Sequence, residues 1–268
     1  QLESSKAFTR NLLAKYNIPG NPEYRVFEKV AGIEDYLRHL GDYVVKPDGL
    51  TGGKGVRLSG SHLHSVEHAL EYCSELIRTQ SKVVIEEKLD GEEFSLQAFC
   101  DAITVHDMIV VQDHKRAHQG DTGPNTGGMG SYSCENHSLP FLEDAQLEEA
   151  KEINKAVADA LLKETGEKYK GVLYGGFMLT RNGIRLLEYN ARFGDPETLN
   201  VLSLLKTDLV DICEAIIEGK LDTLEIEFRH RASVCKYVVP EGYPTEPVKS
   251  EIVYLEDVPR ESESLKIY

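Results

Sequence analysis

Glu188 and Asn190 stand two residues apart on the run 184–190, whose apolar start reads as a buried strand. Side chains alternate faces along a strand, so both point to the same side. A carboxylate and an amide oxygen on one face suit a hard cation such as Mg2+, which takes oxygen ligands. Arg192 joins that face if the strand persists, and its guanidinium suits a phosphate or a carboxylate. Asp195-Pro196-Glu197 then reads as a turn opening a helix, with Asp195 as N-cap and Pro196 at the first helical position. The same residues also fit a plain strand, a polar turn and a capped helix, so the rest of the chain must decide.

Two lysines flank a glycine-rich stretch in Lys46-Pro47-Asp48-Gly49-Leu50-Thr51-Gly52-Gly53-Lys54-Gly55. A P-loop needs Ser or Thr after Gly-Lys and then a helix; here Gly55 and a strand-like run follow Lys54. A glycine-rich hairpin is the better reading, with backbone N–H groups free to approach a phosphate. Glu86 to Glu93 lies between two strands and can offer an inter-domain hinge to an adenine edge and a carboxylate to ribose hydroxyls. Residues 112–135 form a long, polar, glycine-rich segment without a clear period, which reads as a mobile, ligand-closed loop. It opens with the basic Lys115-Arg116. Five histidines (62, 64, 68, 114 and 118) lack a His-Glu-x-x-His pattern and read as solvated.

Strands are expected at 43–46, 56–58, 83–85, 94–100 and 232–239, with one or two more in 103–111. Helices are expected at 4–16, 62–79, 144–164 and 209–217. A hairpin over 172–189 turns at Arg181-Asn182-Gly183, where Asn-Gly is a strong turn signal. Mixed strands and helices with several hairpins predict an α+β fold. The chain has 268 residues and a net charge of −15 from 30 basic and 45 acidic side chains, which argues against nucleic acid or a membrane as partner. Any anionic ligand therefore needs a local cluster of cations. No run is long and apolar enough for a membrane span, and no signal peptide is visible. Five scattered cysteines without a Cys-x-x-Cys pair fit reduced thiols in a cytoplasm. Both ends read as cuts inside a longer protein.

These segments, in this order, resemble the phosphoribosylamine–glycine ligase family of ATP-grasp enzymes. The resemblance rests on Ser5-Lys6-Ala7-Phe8, residues 45–49 and 52–56, 85–87 with 90–93, 112–116, 121–130 and 187–198. It implies two α+β lobes enclosing ATP: an ATP-grasp domain over 1–229, with a small lobe at about 24–89 and a large lobe at about 1–23 and 90–229. Residues 230–268 would begin a small β-rich C-terminal domain, and the complete protein would extend beyond both ends. It implies ligation of glycine to 5-phosphoribosylamine through a glycyl phosphate, at the expense of ATP, with Mg2+ or Mn2+. The alternative is an Mg-ATP-binding module that is not catalytic alone. By resemblance, Glu188 and Asn190 hold the metal. Lys6, Lys46 and Lys54 contact phosphates, Glu86 and Leu89 meet adenine through their backbones, and Glu93 meets ribose. Lys115, Arg116, Asn125, Arg192, Asp195 and Glu197 line the substrate side, with Lys115, Arg192 and Asp195 closest to the chemistry. Residues 172–180 carry no acid, although many ATP-grasp enzymes take a metal carboxylate there, so the metal site is expected to be thin.

Overall fold

The computed structural model describes residues 1–51, 55–120, 122–252, 254, 256 and 258–268. The first helix, α1 (Lys6–Lys15), begins where Ser5 turns extended and its Oγ accepts from the Phe8 N–H at 3.1 Å. A distant residue completes the helix start: Asp48 Oδ1 accepts from the Ala7 N–H at 2.8 Å and from the Ser5 hydroxyl at 2.9 Å. A carboxylate suits the exposed N–H groups and positive end of a helix.

The first sheet is antiparallel and holds β1 (Tyr24–Phe27), β2 (Tyr43–Pro47), β3 (Arg57–Leu58) and β4 (Val83–Glu87), in the order β1-β4-β2-β3. Two helices, α2 (Ile33–Leu40) and α3 (Val66–Gln80), cover one face, where Ile33, Leu37, Val45, Cys73, Val83 and Ile85 are fully buried. Each such aliphatic side chain contributes about 1.5–3 kcal/mol on burial. Period-two alternation puts Lys46 and Glu86 on the opposite face, toward α1.

The second sheet, order β10-β9-β5-β6, contains β5 (Gly91–Cys100), β6 (Val105–Asp107), β9 (Gly171–Thr180) and β10 (Gly183–Asn190). Its apolar face, including Leu96, Leu173, Phe177 and Leu186, packs on α1 and on α4 (Asp144–Thr165) through Leu13, Ile153 and Val157. The other face is polar. Glu188 stands opposite Gly176, Asn190 opposite Tyr174, and Gln97 opposite Tyr174 from the far side. A register shift between Leu186 and Glu188 makes a bulge at Leu187.

The third sheet corrects the sequence reading of residues 112–135. Instead of an irregular loop, β7 (Gln112–His118) and β8 (Thr122–Ser133) form a hairpin, and β11 (Ser233–Lys236) pairs with β8. Register irregularities at His114/Arg116 and Arg116/His118, with polar residues on both faces, erase the alternation that would reveal the strands. Two short helices, α5 (Glu197–Leu204) and α6 (Leu209–Glu218), enclose a smaller core with Phe99, Ile109, Val201 and Ile212. Asp195 does not cap α5: Pro196 holds the cap position and no side chain caps the helix, so the helix starts one step later than expected. Both β1 and α2 escaped the sequence reading, while 172–189 folds as the expected hairpin. Among the described residues, no helix is long and apolar enough to cross a membrane.

Candidate active site

The polar face of the first sheet meets the bulged end of β10 at α1. Arg10 sits on the buried stripe of that helix and is 2% exposed. Its Nε donates to Glu86 Oε1 at 2.7 Å and one terminal nitrogen to Glu86 Oε2 at 2.9 Å. The two terminal nitrogens also reach the carbonyls of Leu186 at 2.9 Å and Leu187 at 2.8 Å. The bulge leaves those carbonyls outside the regular ladder, so a buried guanidinium can satisfy them. Lys46 Nζ completes the group, 2.7 Å from Glu86 Oε2 and donating to the Leu187 carbonyl at 3.1 Å. Burial would raise the Glu86 carboxyl, but Arg10 and Lys46 outweigh it and hold it at about 2.

Beside this junction lies a cavity of about 130 Å³. Lys6, Arg10, Glu86, Glu188, Asn190 and Arg192 help to line it. Lys6 Nζ donates to the Gly49 carbonyl at 3.2 Å. Burial lowers the Lys6 pKa and nearby Lys46 adds to the effect, against the pull of Glu188, Asp48 and Glu86. Among the described residues, neither the Glu188 carboxylate nor the Asn190 amide has a hydrogen-bond or salt-bridge partner. Two unpartnered oxygen donors on one strand face fit a hard divalent cation that takes its other ligands from phosphate or water. No group of three or more acidic, histidine or cysteine side chains among the described residues offers a fuller site.

The β7–β8 hairpin brings Lys115 within electrostatic reach of Glu188. Lys115 Nζ lies 3.0 Å from Glu93 Oε2, and both side chains are about half exposed. Burial works against the Lys115 charge, yet Glu93, Glu188 and Asp113 together hold its pKa above the ordinary lysine value. Arg116 faces the hairpin's other side with His114 and His118, donating to the Gly123 carbonyl at 2.9 Å; Asn125 is exposed and paired in register with Arg116. The structure therefore brings Lys115, Glu188 and Glu93 together and leaves Arg116 and Asn125 apart from them. Arg192 lies beyond the end of β10, not on its continuing face, because the strand stops at Asn190. It still lines the cavity and donates to Glu3 Oε1 at 3.0 Å. Leu89 is half-buried in the link between the two sheets. Lys54 lies outside the described residues.

Below the hairpin, buried Glu197 accepts from the Tyr174 hydroxyl at 2.6 Å. The chain passes so close that a Cβ on Gly194 would sit 2.6 Å from Glu197 Oε2. The Gly194 N–H donates to Gln97 Oε1 at 2.8 Å, and Asp195 accepts from the Tyr237 hydroxyl. Asp113 Oδ1 is buried without a partner among the described residues, and burial with nearby Glu197 pushes its pKa up to about 7. Arg10, Asp113, Tyr174 and Gln97 were missed by the sequence reading. A signal existed for Arg10, a charged residue on the stripe with Ala7 and Leu13, and for Tyr174, which the hairpin register places beside Asn190.

Residues 4–198, which contain the junction, most of the cavity lining and all but one strand of the three sheets, match the model of the phosphoribosylglycinamide synthetase ATP-grasp (A) domain. The chain belongs to this ATP-grasp family. It is 53% identical over 249 residues to a phosphoribosylamine–glycine ligase of Methanocella arvoryzae, covering 93% of this chain and 57% of that protein. Against the ligase of Methanosarcina barkeri the identity is 51%, covering 96% and 59%. The chain thus spans about three-fifths of the length of these curated relatives. Its fold superposes on the crystal structure of phosphoribosylamine–glycine ligase from Thermotoga maritima with a TM-score of 0.80 at 32% identity, over 92% of this chain and 62% of that one. An N5-carboxyaminoimidazole ribonucleotide synthetase solved with ADP shares the fold alone, at TM-score 0.64 and 15% identity. The mixed α+β, ATP-grasp architecture expected from the sequence is the one observed.

Proposed function

We propose that this chain is the nucleotide-binding part of a cytoplasmic ligase that joins glycine to 5-phosphoribosylamine, giving glycinamide ribonucleotide, ADP and phosphate. The observation that carries the reading is the Glu188–Asn190 pair, unpartnered among the described residues, beside Lys6 and the Lys46 junction, in a chain of this family. In this reading residues 1–229 form the ATP-grasp domain and 230–268 begin the next one.

The reaction needs charge neutralisation and alignment more than a covalent nucleophile. A glycine carboxylate oxygen attacks the γ-phosphorus while the bond to ADP breaks, giving glycyl phosphate. The amine nitrogen of phosphoribosylamine then attacks the acyl carbon, phosphate leaves, and the amine gives up a proton. Lys6, Lys46 and Lys54 receive the triphosphate. The backbones of Glu86 and Leu89 face adenine, and Glu93 faces ribose. Glu188 and Asn190 would hold Mg2+ or Mn2+, which would supply further charge neutralisation to the phosphates. Lys115, Arg192, Asp195 and Glu197 stand on the substrate side. Arg116 and Asn125 lie on the other part of the hairpin, so the reading requires the hairpin to carry them over the cleft. Its closure would exclude water and protect the acyl phosphate.

The test is ADP release by the full-length protein with ATP, Mg2+, glycine and phosphoribosylamine. ADP release dependent on both substrates, with glycinamide ribonucleotide as product, is expected. Nucleotide turnover indifferent to glycine would overturn the reading.

A further inference from the structure

None of the roles above uses Arg10, yet it is among the most completely engaged side chains at the site. It is 2% exposed and makes four hydrogen bonds, two of them to Glu86. A buried ion group is expensive unless every charge is answered, so its place on an otherwise apolar helix stripe calls for a reason. The charge count supplies one. Two cations, Arg10 and Lys46, share one carboxylate, Glu86, so the group carries one excess positive charge. Arg10 engages both Glu86 oxygens as a fork, while Lys46 reaches only Oε2. Lys46 also donates to the Leu187 carbonyl. An ammonium has three donors, so one remains without a partner among the described residues.

We propose that Arg10 is a positioning residue for nucleotide binding, which neutralises Glu86 so that the charge and third donor of Lys46 stay available to an anionic phosphate. The proposal rests on the nucleotide-binding reading of the site and adds a residue to it. Without Arg10, Lys46 and Glu86 become a closed pair with no net charge, and the pull on a phosphate falls.

The test measures binding of a non-hydrolysable ATP analogue with Mg2+ to the full-length protein, with neither glycine nor phosphoribosylamine present. Loss of a charge-assisted contact corresponds to roughly 10–100-fold in affinity. Arg10→Met should weaken analogue binding at least about tenfold on that scale, raise KM for ATP in parallel and leave KM for glycine unchanged. Arg10→Lys, which keeps a cation against Glu86, should restore most of the affinity. The double variant Arg10→Met/Glu86→Gln should bind more tightly than Arg10→Met alone, because Lys46 no longer faces a carboxylate; a merely structural role predicts the opposite order. If Arg10→Met does not fold, the double variant decides: affinity within about threefold of wild type supports the proposal and any larger loss overturns it. Folded Arg10→Met binding the analogue as wild type does, or losing kcat with every KM unchanged, also overturns it. A wild-type protein that fails to bind the analogue would instead overturn the nucleotide-binding reading itself.

Discussion

At the junction of α1, β2 and β4 the charges are buried and answered by one another: Arg10 and Glu86 are each 2% exposed, and Lys46 is 8% exposed. At the hairpin and beyond β10 they are open to water, with the Lys115 side chain 42% exposed and that of Arg192 57% exposed. The two ends of the cleft therefore do different work. The buried end holds its cations in place before any ligand arrives, so little ordering is left to be done when a phosphate binds. The open end is incomplete until a substrate or the closing hairpin fills it. Stability and activity should accordingly separate at one end only: changes at the buried end damage the fold together with nucleotide binding, and changes at the open end damage chemistry alone.

The largest effect should follow Glu86→Gln. It leaves two buried cations without a carboxylate, a loss of about 3–5 kcal/mol, read by chemical denaturation. The sign of the pH dependence follows from the depressed carboxyl, held at about 2 against an ordinary 4.5. Its stabilisation is fully present above pH 4.5 and fades as pH falls toward 2. The gap between wild type and variant should therefore shrink in acid; a gap constant with pH would deny the junction its role.

Glu188→Gln should do the reverse. The carboxylate is exposed and unpartnered among the described residues, so the unfolding free energy should move by less than about 0.5 kcal/mol. Mg2+-dependent turnover of the full-length protein should fall on the order of 10²-fold. An unchanged Mg2+ titration would remove Glu188 as a metal ligand.

Asp113, on β7, lies between the two cases and is half-buried. Glu197, Glu93, Lys115, Tyr174, Cys235 and Tyr237 all act electrostatically with it. Its carboxyl is pushed up to about 7 from 3.8, so ionising it works against the fold. That penalty is absent below pH 3.8 and complete above pH 7. Asp113→Asn should gain about 1–2 kcal/mol over wild type at pH 8.5, after discounting for solvent, and less at pH 5.5. Thermal unfolding at the two pH values checks the widening gap, and a gap of opposite slope would show Asp113 to be a stabilising carboxylate.

The parts of this arrangement differ in how plainly the chain spells them. The hairpin over 172–189 was legible because Asn-Gly and alternating apolar residues agree, and with it came the shared face of Glu188 and Asn190. The helix α1 was legible from Ser5 and its apolar stripe. The strands β7 and β8 were not, because four glycines and two register shifts hide any period. The cap at Asp195 was misread because local turn chemistry points to Asp-Pro, whereas the fold commits Asp195 to the Tyr237 hydroxyl. The Arg10 junction depends on pairs 76 and 176 residues apart in sequence, set by tertiary structure alone. Long-range charge pairing leaves almost no local signature beyond a cation on an apolar stripe.

An equally small change in stability is expected at Arg192, and it bounds the contrast from the open side. Its Nε donates to Glu3 Oε1 at 3.0 Å, and the adjacent Ala191 N–H independently holds Glu3 Oε2 at 3.0 Å. Removing the guanidinium would leave Glu3 both a backbone donor and water, since the pair is not sealed from solvent. Exposed ion pairs contribute about 0–1 kcal/mol, so Arg192→Ala should cost no more than about 0.5 kcal/mol in denaturation. Glycine-dependent ADP release should still fall by about tenfold or more, as expected for one lost charge-assisted contact to a carboxylate or phosphate. A loss above about 1 kcal/mol with turnover intact would mean that Arg192 clamps the N-terminal turn to β10. The open end would then be held as firmly as the buried one, and the separation of stability from activity along the cleft would fail.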